Sequence, residues 1–185
     1  MKRLITTIAL VSIAILAFAQ KPSVFRPRIE VAEVEADVDG AFVSSLEVFY
    51  MNDENPRTYY LSLGNLGIGG DIIQVDFDPL YELFIPLGGT LEEAIAKMEE
   101  IRDFYKQPRH AENELVGCFT VAYPSKDLVS VKVTRRQLLT SKILEFSIPV
   151  KGSESLVRAT HISKGDFGGL LTTLKVFRKL HPKEK

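Results

Sequence analysis

The segment 87–104, LGGTLEEAIAKMEEIRDF, marks the place where a series of strands gives way to a helix. Thr90, with Glu93 three positions later, forms a capping box, which is a signature of helix starts. From Leu91 onwards apolar residues recur every three or four positions, and acidic residues occupy the opposite face. These features predict an amphipathic helix over about residues 90–106.

A second segment, SKGDFGGLLTTLKVFRKL at residues 163–180, aligns with the first without a gap, and the apolar positions of the two segments coincide. Ser163 or Asp166 is the expected cap of a second amphipathic helix over about residues 164–180. The glycine pair that begins at Gly168 weakens the first turn, because glycine has a low helix propensity.

Segments of alternating or β-branched apolar residues flank both helices and predict strands. They are residues 28–38, 41–51, 58–63, 71–77, 80–89, 115–123, 128–136, 142–150 and 155–163. The alternation slips at Val31 and Ala32, which predicts a β-bulge, and the polar residues 107–114 predict a linker. Runs of strands that are each followed by a helix predict an α+β protein of mostly antiparallel β-sheet with two amphipathic helices.

The chain has 185 residues, of which 45% are hydrophobic, and this is enough for one compact domain with its own core. We expect residues 20–185 to form a single α+β domain. The alignment of the two helices leaves open that this domain consists of two pseudo-repeats, residues 27–106 and 115–180. The alternative is that any two capped amphipathic helices share such a pattern.

Residues 1–19 have the order of a secretory signal peptide. Lys2 and Arg3 precede an apolar run that ends in the small-residue pattern Ala17-Phe18-Ala19. The run is short for a membrane span, which needs about twenty residues. We therefore expect cleavage after Ala19 and an exported, bacterial-type protein, periplasmic or extracellular, with no membrane span after cleavage. The alternative is that the segment is kept as an anchor.

Residues 64–70, GNLGIGG, have the glycine content of a phosphate-binding loop. Such a loop lies between a strand and a helix, because the helix N-terminus supplies the amides and the dipole. Here the glycines lie between two predicted strands, so we interpret them as a hairpin loop or a loop with a bulge. Export also argues against ATP and NAD, which are cytosolic metabolites, and we expect no cofactor.

Charge is unevenly divided along the chain, although the net charge is only −1. Residues 20–125 hold 8 Lys and Arg against 19 Asp and Glu, whereas residues 126–185 hold 13 against 5. A basic surface for a protein or an anionic glycan is one interpretation. Its candidate ligand-binding residues are Lys132, Arg135, Arg136 and Lys142. The interpretation that we favour is that the two portions neutralise each other. Nucleic acid is not expected, because no aromatic residues interleave with the basic ones.

No catalytic constellation is evident in the sequence. His110, His161 and His181 are scattered and have no ligand neighbours at metal-site spacing, so no metal site is expected. Cys118, the only cysteine, lies in an apolar strand pattern and is expected to be a buried, inert thiol.

Two functions remain open from the sequence. The one that we favour is a non-catalytic binding or interaction module of the periplasm or cell envelope, with an exposed sheet face or a cleft that bears aromatic residues. These are Phe49, Tyr50, Tyr59 and Tyr60. The alternative is a small exported hydrolase whose site includes Asp76, Asp78 and His161. It requires these three side chains to converge within about 5 Å in a pocket.

Overall fold

In the computed structural model of the chain, the described residues are 28–38, 42–51, 54–64, 67–70, 73–77, 82–122, 125–150 and 157–182. They form ten strands, two α-helices and one short 3-10 helix. The strands are β1 Arg28–Val38, β2 Phe42–Met51, β3 Tyr59–Leu63, β4 Gly67–Gly70, β5 Ile73–Phe77, β6 Glu82–Gly88, β7 Glu112–Ala122, β8 Ser125–Leu138, β9 Ser141–Pro149 and β10 Val157–Ser163. The helices are α1 Leu91–Asp103 and α2 Lys164–Leu180, and the 3-10 helix Phe104–Lys106 directly follows α1. The predicted α+β class and both predicted helices are confirmed, whereas the predicted signal segment 1–19 lies outside the described residues.

The ten strands belong to one antiparallel sheet in the order β1-β2-β3-β6-β7-β8-β9-β10-β4-β5. The sheet is strongly curled, so that β1 lies against β10 although six strands separate them in this order. Helix α1 packs on β6, α2 packs mainly on β1, and the two helices contact each other. We call the side of the sheet that faces the helices the inner side and the opposite side the outer face.

The hydrophobic core fills the space between the inner side of the sheet and the two helices. Alternate residues along a strand supply this core, as in β3, where Tyr59, Leu61 and Leu63 are buried against it. The Tyr105 hydroxyl, just after α1, donates a hydrogen bond of 2.9 Å to the C=O of Ile162. This bond ties the end of α1 to β10.

Both helices begin at caps that the sequence indicates. The Thr90 hydroxyl accepts the N–H of Glu93 at 3.2 Å, and the Glu93 carboxylate accepts the N–H of Thr90 at 3.1 Å. Ser163 caps α2 by accepting the N–H of Asp166 at 3.1 Å. Because Ser163 rather than Asp166 is the cap, α2 begins three residues earlier than its alignment with α1 implies. The aligned apolar positions are nevertheless buried in both helices, Leu91, Ala94, Ile95 and Met98 in α1 and Phe167, Leu170, Leu171 and Leu174 in α2.

The order of elements repeats along the chain. Strands β1, β2, β3 and β6 are successive neighbours in the sheet and are followed by α1, and β7 to β10 are successive neighbours and are followed by α2. The β4–β5 hairpin is inserted between β3 and β6. This is the order that two pseudo-repeats require, while a common origin of the two parts stays a prediction. We call residues 28–106 the first half and residues 112–180 the second half.

The glycine-rich segment is partly a strand rather than the predicted loop. Gly67–Gly70 is β4, which pairs with β5 on one side and with β10 on the other. The local sequence does not show this pairing, because β10 is the last strand of the chain. A register shift between Ile68 and Gly69 agrees with the predicted bulge. Since β5 follows β4, the glycines do not lead into a helix, as the sequence indicated.

Two other expectations are wrong, and one is confirmed. The aromatic residues that were expected on an exposed face are buried, and these are Phe49, Tyr50, Tyr59 and Tyr60. The expected linker 107–114 ends early, because β7 begins at Glu112. The expected bulge in β1 is present as a register shift between Glu30 and Ala32.

Acidic and basic portions of the chain meet in the fold, as the favoured interpretation of the charge division requires. Lys132 on β8 lies 3.3 Å from Glu112 on β7. Lys175 on α2 lies 2.5 Å from Glu99 on α1, and this contact lowers the pKa of the Glu99 carboxyl. Such partly exposed pairs contribute little to stability, but they reduce the net field of the basic portion.

Candidate functional site

The outer face of the second half carries a row of polar side chains that are buried. Thr134 on β8, Glu145 on β9 and His161 on β10 lie directly opposite one another in the sheet. Their exposed fractions are 2%, 5% and 1%. Burial of polar groups costs free energy unless they are hydrogen-bonded. The hydrogen bonds within this row therefore decide what the row contributes to the stability of the fold.

Glu145 is the centre of an ion network across β8, β9 and β10. His161 Nε2 lies 3.1 Å from one oxygen of the Glu145 carboxylate. Arg136 donates to the other oxygen at 3.1 Å. A quarter of the Arg136 side chain is exposed, so the network reaches solvent at that residue. We call Arg136, Glu145 and His161 the ion network.

The pKa of Glu145 reflects opposing influences. Burial raises the pKa of this carboxyl, but the hydrogen bond with His161 and the charge of Arg136 outweigh burial and hold the pKa below its ordinary value of 4.5. Glu145 is therefore ionised at neutral pH, with both oxygens engaged. A carboxylate in this state orients its two partners and is poorly placed to take a proton from a substrate.

A cleft with a volume of about 920 Å³ opens next to this row. It lies where β8 extends beyond the end of β9, and residues from β7, β8, β9 and β10 surround it. Its apolar lining consists of Leu128, Val129, Ile148, Pro149 and Val157. Lys132 and Ser147 also line it, and each is two positions along its strand from a member of the buried polar row. We call this the outer cleft.

The charged groups of the outer cleft lie at its rim and face one another. Lys132 lies 3.3 Å from Glu112, and the Ser130 hydroxyl donates to the Glu114 carboxylate. The rim is therefore partly neutralised, whereas Leu128 and Pro149 are exposed and Ile148, at 1% exposed, belongs to the core. Leu128 is 81% exposed, which is a large fraction for a leucine in a strand. An arrangement of apolar lining with a few polar groups is typical of small-ligand and peptide pockets.

The four predicted basic residues do not share one surface. Lys132 lines the outer cleft and Arg136 belongs to the ion network, both on the outer face. Arg135 lies on the inner side, is 4% exposed, and donates to the C=O of Arg136. Lys142 is exposed and pairs with Gln137 of β8. Because Gln137 lies two positions after Arg135 on β8, Lys142 is on the inner side, like Arg135. Of the four, Lys132 is the residue that contributes to the cleft.

The residues of the hydrolase hypothesis are only partly described. His161 is held in the ion network by its contact with Glu145. Across the sheet, the main chain of Asp76 in β5 is level with that of Arg158 in β10, and β4 lies between these two strands. This register corresponds to roughly 14 Å between the Cα atoms of Asp76 and His161, given about 4.8 Å between strands and about 3.3 Å per residue. The side chain of Asp76 and all of Asp78 lie outside the described residues, so their convergence with His161 stays a prediction.

Cys118 is buried, as the sequence indicates, and burial raises the pKa of its thiol to about 11. A thiol with this pKa is protonated at neutral pH and is a poor nucleophile. His110 and His181 are both exposed. Within the described ranges, no three His, Cys, Asp or Glu side chains are grouped so as to hold a metal ion.

A different cluster occupies the outer face of the first half and the adjoining strand β7. Four aromatic rings adjoin there, with centroids 5.0 to 5.6 Å apart. They are Phe49 of β2, Tyr60 of β3, Phe84 of β6 and Phe119 of β7. All four are buried, and we call them the aromatic cluster. This part of the outer face is closed by apolar packing, unlike the surface around the outer cleft.

The outer cleft was not predicted from the sequence, although one signal for it was present. In the alternating strand that begins at residue 128, the outer positions Ser130, Lys132 and Thr134 are polar, whereas Leu128 is apolar. An apolar residue on the polar side of a strand indicates an apolar surface outside the core. The other lining residues come from β9 and β10, whose ends meet β8 only in the folded sheet.

No protein family, curated protein or solved structure matches the chain. In the part of the chain that the structure describes, neither helix has the length and apolarity that a membrane crossing requires. The chemistry of the outer face is therefore the guide to function, since a fold by itself does not determine a function.

Proposed function

We propose that the chain is a non-catalytic binding or interaction module of the cell envelope, and that its ligand is a largely apolar molecule or segment held in the outer cleft. The observation that carries this proposal is the combination of cleft volume and lining. A volume of about 920 Å³ lies within the usual range of ligand pockets, and five apolar residues line it.

The exposed apolar residues supply the driving force for binding. Leu128 is 81% exposed, and Pro149 beside it is also exposed. Removing a leucine side chain from water contributes roughly 1.5 to 3 kcal/mol. In the free protein these side chains stay in contact with solvent, so this free energy is gained only when a ligand covers them.

The paired charges at the rim favour an apolar ligand over an anionic glycan. Lys132 already faces Glu112, so an anionic ligand would have to compete with that carboxylate. The other three predicted basic residues lie away from the cleft lining. A protein segment or small amphipathic molecule with a polar end near Lys132 and an apolar body fits this distribution better.

The proposal is tested by titrating the purified protein with the fluorescent apolar probe 1-anilinonaphthalene-8-sulfonate. Leu128→Ser removes the apolar side chain without adding a charge that would attract the sulfonate of the probe, and it is expected to weaken the probe's affinity about tenfold, because the burial of one leucine is lost. Leu139→Ser is the matched control, since Leu139 is 78% exposed in the β8–β9 turn at the opposite end of β8. Equal affinities of the wild type and Leu128→Ser would contradict the proposal.

Export is the second component of the proposed function, and residues 1–19 support it by their order of basic, apolar and small residues. Protein isolated from its native host is expected to begin at Gln20 and to be found outside the cytosol. N-terminal sequencing provides this measurement. Material that begins at Met1 in the soluble intracellular fraction would contradict export.

A further inference from the structure

The hydrogen-bond ladder between β6 and β7, where the two halves join, covers only part of either strand. Between the described residues, this ladder has three pairs, which join Glu82, Leu83 and Phe84 to Val121, Thr120 and Phe119. Strand β6 continues to Gly88, and β7 begins at Glu112, so both strands extend beyond the ladder. The sheet therefore has a gap between its two halves.

Two residues explain why the ladder stops. Pro86 on β6 has no N–H and cannot donate to a neighbouring strand. On β7, Gly117 has a φ of +74°, within the register shift between Leu115 and Cys118. Bulged strands bend, and between the described residues the ladder with β6 ends before this bulge. The opening is thus encoded by particular residues on both strands.

The free edge of β7 presents backbone groups to the gap. The N–H of Arg135 on β8 donates to the C=O of Ala111 at 2.9 Å. Bonded and non-bonded pairs alternate in an antiparallel ladder, so Asn113 and Leu115 bond to β8 in the same way. The N–H and C=O groups of Glu112 and Glu114 therefore point towards the gap.

The gap has an acidic outer rim, and its inner wall combines apolar side chains with a charged pair of α1. A cavity of about 180 Å³ lies in it, lined by Ile85 and Leu115 and also by Lys97 and Glu100, which form an ion pair of 2.9 Å. Glu112 and Glu114 are exposed on the outer face. The Glu114 carboxylate accepts the Ser130 hydroxyl, and no cation is paired with it in the described part of the chain. Val116, 75% exposed, lies at the same edge.

We propose that the gap between β6 and β7 is a strand-addition site for an extended segment of a partner protein with alternating basic and small apolar side chains. Main-chain groups of that segment bond to those of Glu112 and Glu114, which is the chemistry of β-augmentation. Its apolar side chains enter the cavity beside Ile85 and Leu115, and one of its basic side chains faces Glu114, whereas Glu112 is already paired with Lys132. Glu112 and Glu114 also lie at the rim of the outer cleft, but the backbone edge and the cavity used here are on the side of β7 that faces β6.

Amide hydrogen exchange measured by NMR tests the proposal directly. In the free protein, the amides of Glu112 and Glu114 are expected to exchange rapidly, whereas those of Asn113 and Leu115 are protected by β8. Addition of the peptide acetyl-Lys-Val-Lys-Val-Lys-Val-Lys-amide is expected to slow exchange at Glu112 and Glu114. Protection of these two amides already in the free protein, or no change with excess peptide, would overturn the proposal.

A second peptide separates strand addition from electrostatic attraction. N-methylation of alternate amides removes the donors on one edge of the peptide and leaves its charge unchanged. Since an added strand presents one edge to β7, we expect the peptide that is methylated on that edge to lose binding, and the peptide that is methylated on the opposite edge to retain it. Equal binding of both methylated peptides would overturn the proposed backbone pairing.

A protein variant tests the role of Glu114. Glu114→Lys reverses an exposed charge at the rim and is expected to weaken the affinity for the lysine peptide about fivefold at low salt, less at high salt. The matched control is Glu92→Lys, an exposed position in the first turn of α1 that does not line the gap. If both variants bind the peptide equally, the placement of its basic side chains opposite Glu114 is wrong.

Discussion

The outer faces of the two halves differ although the halves have the same order of strands and helix. In the first half, the outer face is closed by the aromatic cluster, and in the second half it holds the ion network with the outer cleft beside it. Both arrangements bury the middle of the sheet. Among the described residues, the apolar opening lies at the end of the second arrangement, and we propose that this half binds while the first stabilises the sheet.

The two clusters stabilise the fold through different interactions. The aromatic cluster gains from apolar burial and from edge-to-face contacts, as between Phe84 and Phe119 at 5.0 Å. The ion network must first overcome the cost of removing charges from water, so its net contribution depends on all partners being present. The effects of substitutions on the free energy of unfolding should therefore differ between the two clusters in size and in pH dependence.

The largest effect is expected in the aromatic cluster. Phe84 contacts both Phe49 and Phe119, and it is 2% exposed. Phe84→Ala is expected to lower the free energy of unfolding by about 4 kcal/mol through lost burial and a residual cavity. Urea denaturation at pH 7 measures this change. Phe84→Leu, which leaves a smaller cavity, should cost less than half as much, and a small effect of Phe84→Ala would mean that this face is not closed by packing.

A smaller effect with a distinct pH dependence is expected in the ion network. Glu145→Gln leaves Arg136 and His161 without their carboxylate and should cost about 3 kcal/mol at pH 7. Because the pKa of Glu145 is lowered in the folded state, its contribution is present above its unfolded value of 4.5 and is lost as the pH falls through the folded pKa. The difference from the wild type should therefore shrink on acidification.

Urea denaturation between pH 7 and pH 3 measures this dependence. Glu112→Gln is the control, because Glu112 forms a pair with Lys132 in which both side chains are more than half exposed. Its effect should stay within about 1 kcal/mol at any pH. A constant difference between Glu145→Gln and the wild type across this range would show that the ion network does not depend on the charge of Glu145.

The two strand-to-helix junctions should respond in opposite directions to the same substitution. Gly88 has a φ of +130°, and an added Cβ would lie 2.5 Å from Glu93 Cβ, so Gly88→Ala should cost about 2 kcal/mol. At Gly168 an added Cβ meets nothing within 4 Å, so Gly168→Ala should stabilise α2 by about 0.5 to 1 kcal/mol. Thermal unfolding of both variants measures these effects, and equal signs would contradict the account of the junctions.

Local features of the sequence were sufficient to predict the helices and most strands. The capping box at Thr90 and the spacing of apolar residues in α1 are determined within a few turns. The burial of Cys118 also followed from its apolar neighbours. These features do not depend on which strands pair in the folded sheet, which explains why they were predicted correctly.

Features that depend on distant pairing were not predictable. Strand β4 was expected to be a loop, because its partner β10 is far away in the chain. Phe49 and Tyr60 were expected to be exposed, because alternation does not show whether the outer face is covered. The outer cleft combines residues of four strands, and only Leu128 carried a local signal for it.

The central claim is that the apolar opening on the second half is the binding surface. Chemical-shift mapping of the ¹⁵N-labelled protein during titration with 1-anilinonaphthalene-8-sulfonate tests it most directly. The account predicts shifts at the amides of Leu128, Val129 and Val157 and unchanged amides at Ser62 and Phe84. Shifts centred on Ser62 and Phe84, with the cleft amides unchanged, would contradict it.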